Sequence, residues 1–184
     1  MNHLECARGN RKQNQWWKYL SNIFISLMAS NTIGVIPFAI VLIIYAIKNM
    51  DTIPLTAENI MNFSALGIPQ NLILASMLFA FVIALIALVF FFKPFHKRSY
   101  QQVINGTSKI RWKHFFTGLI VWLLISAIGL GLDLWLNPEN YVLQFDLSTF
   151  IPLIVITILL IPIQTTYEEI TFRGYLAQGV AAYT

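Results

Sequence analysis

Four long apolar runs constrain this chain more than anything else in it. They cover about residues 23–47, 72–92, 115–136 and 150–172. The first three each come close to the ~20 residues that carry a helix across ~30 Å of hydrocarbon. Leu72 to Phe92 holds no charge. The first run is softened by Ser30, Asn31, Gly34 and Pro37, and the third carries Asp133 near its end. The fourth is apolar from Phe150 to Ile163 and continues through Gln164, Thr165 and Thr166 into adjacent glutamates. In lipid, backbone polar groups must be satisfied within a helix or a closed barrel. A barrel strand alternates polar and apolar residues, and these runs do not. The predicted fold class is therefore all-α, a polytopic transmembrane helix bundle with about four spans, forming one membrane-embedded domain over residues 1–184. Charged residues are only 11% of the chain, against about 25% in soluble domains, which is too few to cover a water-soluble surface.

The charge pattern assigns an orientation. Arg8, Arg11, Lys12 and Lys18 precede the first run. Lys93, Lys97, Arg98, Lys109, Arg111 and Lys113 crowd the link between the second and third, while Asp51, Glu58, Glu139 and Asp146 lie in the other two links. Lysine and arginine collect on the cytoplasmic side, so a multi-pass protein with a cytoplasmic N-terminus is expected. The end of the fourth run then returns to the cytoplasmic side. Trp16, Trp17, Tyr19, Trp112 and Trp135 fall at interface positions, and Trp122, mid-span, reads as packing. The basic residues flank spans as topology signals, so the net charge of +4 implies no nucleic-acid partner; the bilayer is the expected surroundings. The first run is too long for a cleavable signal segment. Cys6, alone in its chain, forms no internal disulfide. A short amphipathic helix is expected over Glu58 to Leu66.

The functional candidates are Glu168, Glu169 and Arg173. Ionisable residues at a membrane span are expensive and mark functional sites by default. With the fourth helix starting near Phe150, Glu168 lies ~27 Å along it, at the inner hydrocarbon boundary. Arg173 is at i+4 from Glu169, where an ion pair forms on a helix. Glu168 points about 100° away and shares a face with Thr165 and Phe172. A carboxylate held near water and shielded from bulk solvent suits a general base for amide hydrolysis. Pro162 removes one backbone hydrogen bond, and a kink there would open a wet cavity beside the pair. Pro152 is placed in the helix's first turn. The competing reading is an interfacial ion-pair cluster reaching toward water.

The run Glu168-Glu169-Ile170-Thr171-Phe172-Arg173-Gly174 resembles the first signature, E-E-x-x-x-R with an F-R-G ending, of the CAAX protease and bacteriocin-processing (CPBP/Abi) family of intramembrane endopeptidases. The resemblance is sharp over Tyr167 to Gly174. It implies that Glu168 activates the hydrolytic water, that Glu169 and Arg173 support the site, and that the substrate is a peptide or protein at the membrane, prenylated or not. The family also uses F-x-x-x-H and H-x-x-x-N signatures on later helices, and neither follows Arg173 here. The chain is thus expected to be the N-terminal part of a longer protein, or a truncated gene product, and inactive alone. Ala177 and Ala181 form a small-x-x-x-small pair that would meet a further helix.

Phe92 to His96 spells F-x-x-x-H but precedes the glutamates and contains Pro94, so it reads as coincidence. His3, His96 and His114 read as solvated. No metal or other cofactor is assigned, and glutamic and metal-dependent mechanisms stay open. Asp133 reads as an interface residue. The alternative function is a non-catalytic membrane protein of the same fold, such as an immunity or scaffold factor; a transporter ranks below both.

Overall fold

The computed structural model describes residues 15–49, 56, 63, 65–97, 112–142 and 145–181. Among these there is no β-strand, and four helical stretches are long and apolar enough to cross a membrane: Trp16–Lys48, Gln70–His96, Trp112–Leu136 and Leu147–Val180. The all-α, four-span expectation therefore holds. Each stretch runs past the predicted limits. The N-terminal tail with His3 and Cys6, and most of the basic link, lie outside the described residues.

The first stretch comprises helix α1 (Trp16–Ala29), a π-helical turn (Ser30–Gly34) and helix α2 (Ile36–Lys48), with Pro37 in the first turn of α2. Proline is tolerated there because the first-turn N–H groups have no helical partner anyway. The expected surface helix over Glu58 to Leu66 falls mostly outside the described residues. Its described part is turn: Phe63 and Ala65–Gly67. Gly67 has φ 65°, a left-handed conformation that glycine adopts at little cost. The carbonyl of Leu66 accepts from Asn49 Nδ2 at 3.1 Å, which ties this turn to the end of α2.

Helix α3 (Gln70–His96) is the centre of the bundle. It runs antiparallel to α1, and the two meet along a seam of small and polar residues spaced by four. Asn22 Nδ2 donates to Leu88 O at 3.2 Å, Ser26 Oγ to Ala84 O at 2.7 Å, and Ser30 Oγ to Ala80 O at 3.1 Å. Gly34 continues the row against Ala80. Between lipid-embedded helices the hydrophobic effect drives little, and close packing with interhelical hydrogen bonds takes its place. Spacing by four keeps all four residues on one helix face, so the row acts as one continuous contact.

Helix α4 (Trp112–Leu136) is exposed along its whole length. At its end Asp133 accepts hydrogen bonds from Asn137 Nδ2 at 2.8 Å and from the Tyr141 hydroxyl. This fastens the turn Pro138–Asn140. Helix α5 (Leu147–Glu169) follows, capped by Asp146. It packs against α3. Asn71 Nδ2 donates to Thr149 O at 2.6 Å, stitching the starts of α3 and α5 together. Because α5 starts at Leu147, Pro152 lies in its second turn. The expected first-turn placement is corrected: the Asp146 cap, with Ser148 and Thr149, starts the helix earlier than Phe150.

Candidate functional site

Helix α5 carries on past Glu169 without a break. It passes into a π-helical segment, Ile170–Leu176, and then into the short helix α6 (Ala177–Ala181). The change of register sorts the residues into two faces. Tyr167, Ile170, Thr171, Gly174, Tyr175 and Gln178 are buried, whereas Glu168, Glu169, Phe172 and Arg173 are exposed. An α-helix advances about 100° per residue, so in pure α register Tyr175 would sit about 80° around the helix from Tyr167. An i→i+5 segment advances only about 80° per residue, which brings the two tyrosines to within about 20°. Both hydroxyls then reach the α1–α3 seam.

On the exposed face, Arg173 Nη1 lies 3.2 Å from Glu169 Oε2, the ion pair expected from the i,i+4 spacing. The π register improves its alignment: the two side chains lie about 20° apart around the helix, against about 40° in α register. Glu168 stands outside the pair. Its Oε1 accepts from Gln164 Nε2 at 3.3 Å. Thr165, three residues before Glu168, turns its hydroxyl back to Ile161 O and Pro162 O at 3.1 and 3.2 Å. Glu168 is 21 residues beyond Leu147, so it lies ~32 Å along the helix, longer than expected because the helix starts before Phe150.

The helix passes through Pro162 without interruption. A cleft of about 540 Å³ lies at the opposite end of the bundle, lined by residues including Asn71, Leu72, Thr149 and Pro152. The wet opening expected beside the glutamates is not where this cleft lies.

Behind the exposed face is a buried polar cluster that sequence reasoning missed. The Tyr167 hydroxyl lies 3.2 Å from Ser26 Oγ. Asn22 Nδ2 donates to the Tyr175 hydroxyl at 3.2 Å, and His96 Nε2 lies 2.6 Å from the same hydroxyl. Tyr19, Phe92 and Tyr175 surround the His96 ring at centroid distances of 4.4, 5.2 and 5.3 Å. The expectation of a solvated His96 is therefore corrected: it is 1% exposed. Helix α3 runs through the exposed Lys93 and Pro94 to His96, so the histidine stays inside the bundle and the helix ends at Lys97. His114 is exposed as expected. The phenylalanine and histidine of Phe92 to His96 do share a face and touch, but against Tyr175 rather than Glu168.

Asn22 Oδ1 and Thr171 Oγ1 are buried with no hydrogen-bond partner among the described residues. Such groups are costly in a low-dielectric interior. Gly179 lets Tyr19 approach; a Cβ there would come within 3.1 Å of the ring. Among the described residues no group of three or more His, Cys, Asp or Glu side chains comes together.

No protein-family model matches the chain, and no solved structure does. The chain is similar to YyaK of Bacillus subtilis (strain 168), described as an uncharacterized protein, with 36% identity over 89 residues. That match covers 48% of this chain and 30% of the relative, so it spans less than a third of the relative's length.

Proposed function

We propose that this chain carries the water-activating part of an intramembrane endopeptidase of the CAAX-processing type. One observation supports this above the others: of two adjacent carboxylates at the end of a membrane-length helix, Glu169 is paired with Arg173 while Glu168 is left to a neutral amide, Gln164. Adjacent groups in different surroundings can take different tasks. Glu169 and Arg173 set the local charge and shape. Glu168 accepts a proton from water as that water attacks the peptide carbonyl, and the proton then passes to the leaving amine. The oxyanion that forms needs donors of its own. In this reading the donors are the histidine and amide side chains that the family's other signatures imply, and no residue of this chain is assigned that part. The site faces the cytoplasmic side, by the distribution of lysine and arginine. The substrate is a peptide or protein at the membrane, prenylated or not.

The test is cleavage of prenylated C-terminal peptides and of leader-type peptides by the whole gene product in its membrane. Cleavage that disappears in Glu168→Ala supports the proposal. A second reading, a non-catalytic immunity or scaffold protein of the same fold, draws on the exposure of the Glu168, Glu169 and Arg173 patch. It gains if the intact protein cleaves no peptide yet loses its cellular role when this patch is altered.

A further inference from the structure

The π segment Ile170–Leu176 has to be held in place. Its i→i+5 hydrogen bonding is rare, occurs mostly as single-turn bulges and is frequent at functional sites. The side chain best placed to hold it is Tyr175, which is 1% exposed. Its hydroxyl sits among three polar groups from two other elements: Asn22 Nδ2 at 3.2 Å, His96 Nε2 at 2.6 Å and the Lys18 carbonyl at 3.4 Å. Relaxing the segment to α register from Ile170 onward would swing Tyr175 by about 100° around the helix axis. The hydroxyl would leave all three groups, and Asn22 and His96 would lose it in a buried setting. The same relaxation would carry Arg173 from about 20° to about 40° off Glu169. The register that seats Tyr175 is thus the one that aligns the ion pair, and it also brings Arg173 to about 80° from Glu168 around the helix, against about 140° in α register.

We propose that His96 is a positioning residue for the Glu168–Arg173 site: it clamps the Tyr175 hydroxyl and so holds Ile170–Leu176 in the π register. It does so from the last turn of α3, immediately before Lys97, whose left-handed φ of 51° turns the chain out of the helix. The effect on rate rests on the hydrolytic reading above; the effect on register does not.

The experiment uses the whole gene product with Cys6→Ser and a reporter thiol at Phe172→Cys, an exposed position within the segment. Two quantities are read: the rate of maleimide labelling at position 172, and kcat and KM for peptide cleavage. In His96→Ala and in Tyr175→Phe the labelling rate should shift about threefold or more in the same direction, with the double variant no worse than either single one. His96→Gln, which keeps a hydrogen-bonding group near the Nε2 position, should restore the rate toward wild type. Leu78→Ala, also in the buried part of α3 but ~27 Å along it, should lower thermal stability without moving the labelling rate. The kcat should fall about tenfold or more with KM unchanged, because small misplacements of catalytic groups are costly. If His96→Ala does not fold, Tyr175→Phe, which keeps the ring, decides. Unchanged labelling in the folded variants, additive effects, or shifted labelling with an unchanged kcat would each overturn the proposal. If the wild type cleaves no peptide, the hydrolytic reading fails, and the labelling rates alone decide whether His96 sets the register.

Discussion

Replacing Gly34 with alanine should open the α1–α3 seam. A Cβ at this position would lie 2.7 Å from Ala80 Cα, 3.2 Å from Ala80 Cβ and 3.3 Å from Ala80 O. Carbon atoms in good contact are about 3.5–4.0 Å apart, and a backbone Cα cannot rotate aside, so the helices must separate by ~1 Å. The Ser30 Oγ to Ala80 O bond, now 3.1 Å, would be lost at that separation. Overpacking costs about 1–3 kcal/mol, and an interhelical hydrogen bond in a membrane averages about 0.6 kcal/mol. Alanine in a helix returns up to about 1 kcal/mol relative to glycine. The net loss should be about 1–3 kcal/mol. Reversible unfolding in mixed micelles, followed by helix content, measures it. Gly118→Ala on α4 is the control, because a Cβ there meets nothing within 4 Å, and it should be neutral or stabilising. Gly34→Ala matching wild type, or gaining alongside Gly118→Ala, would refute the close-seam argument.

Removing Arg173 separates function from stability. The Arg173 and Glu169 side chains are 82% and 54% exposed, and exposed pairs contribute about 0–1 kcal/mol. Arg173→Ala should therefore leave the melting temperature almost unchanged while cutting peptide cleavage sharply; a large stability loss with intact cleavage would make the pair structural. At the opposite end, Asp146 caps α5. Hydrogen bonds from Ser148 and Thr149 to its carboxylate hold its pKa below the usual range. A depressed folded-state pKa stabilises above the unfolded value of about 3.9 and stops doing so as pH falls through the folded value. The melting-temperature gap between wild type and Asp146→Ala should hold from neutral pH to about pH 5 and shrink below about pH 4; a constant gap down to pH 3 would count against the cap.

Span number and helical class were legible because length and apolarity alone decide them. The Glu169–Arg173 pair was legible because i,i+4 spacing is local. The α1–α3 seam was half legible. Asn22, Ser26, Ser30 and Gly34 recur every four residues, but their facing partners, Ala80, Ala84 and Leu88, depend on a register that only packing fixes. His96 was misread because it adjoins a basic link, while Pro94 near the helix end did not stop the last turn from forming. The π segment left no local signal. Tyr167 and Tyr175, eight residues apart, share a face only once the register has changed, and that change depends on groups more than seventy positions away in the sequence, at Asn22 and His96.

The most direct measurement is the rate of peptide-bond hydrolysis by the purified, folded gene product with glutamine in place of Glu168. The account predicts a fall of about a hundredfold or more, since a positioned general base contributes about 10²–10⁴ in rate, with helix content and the labelling rate at position 172 unchanged. Hydrolysis at the wild-type rate would show that the carboxylate of Glu168 does not activate the attacking water.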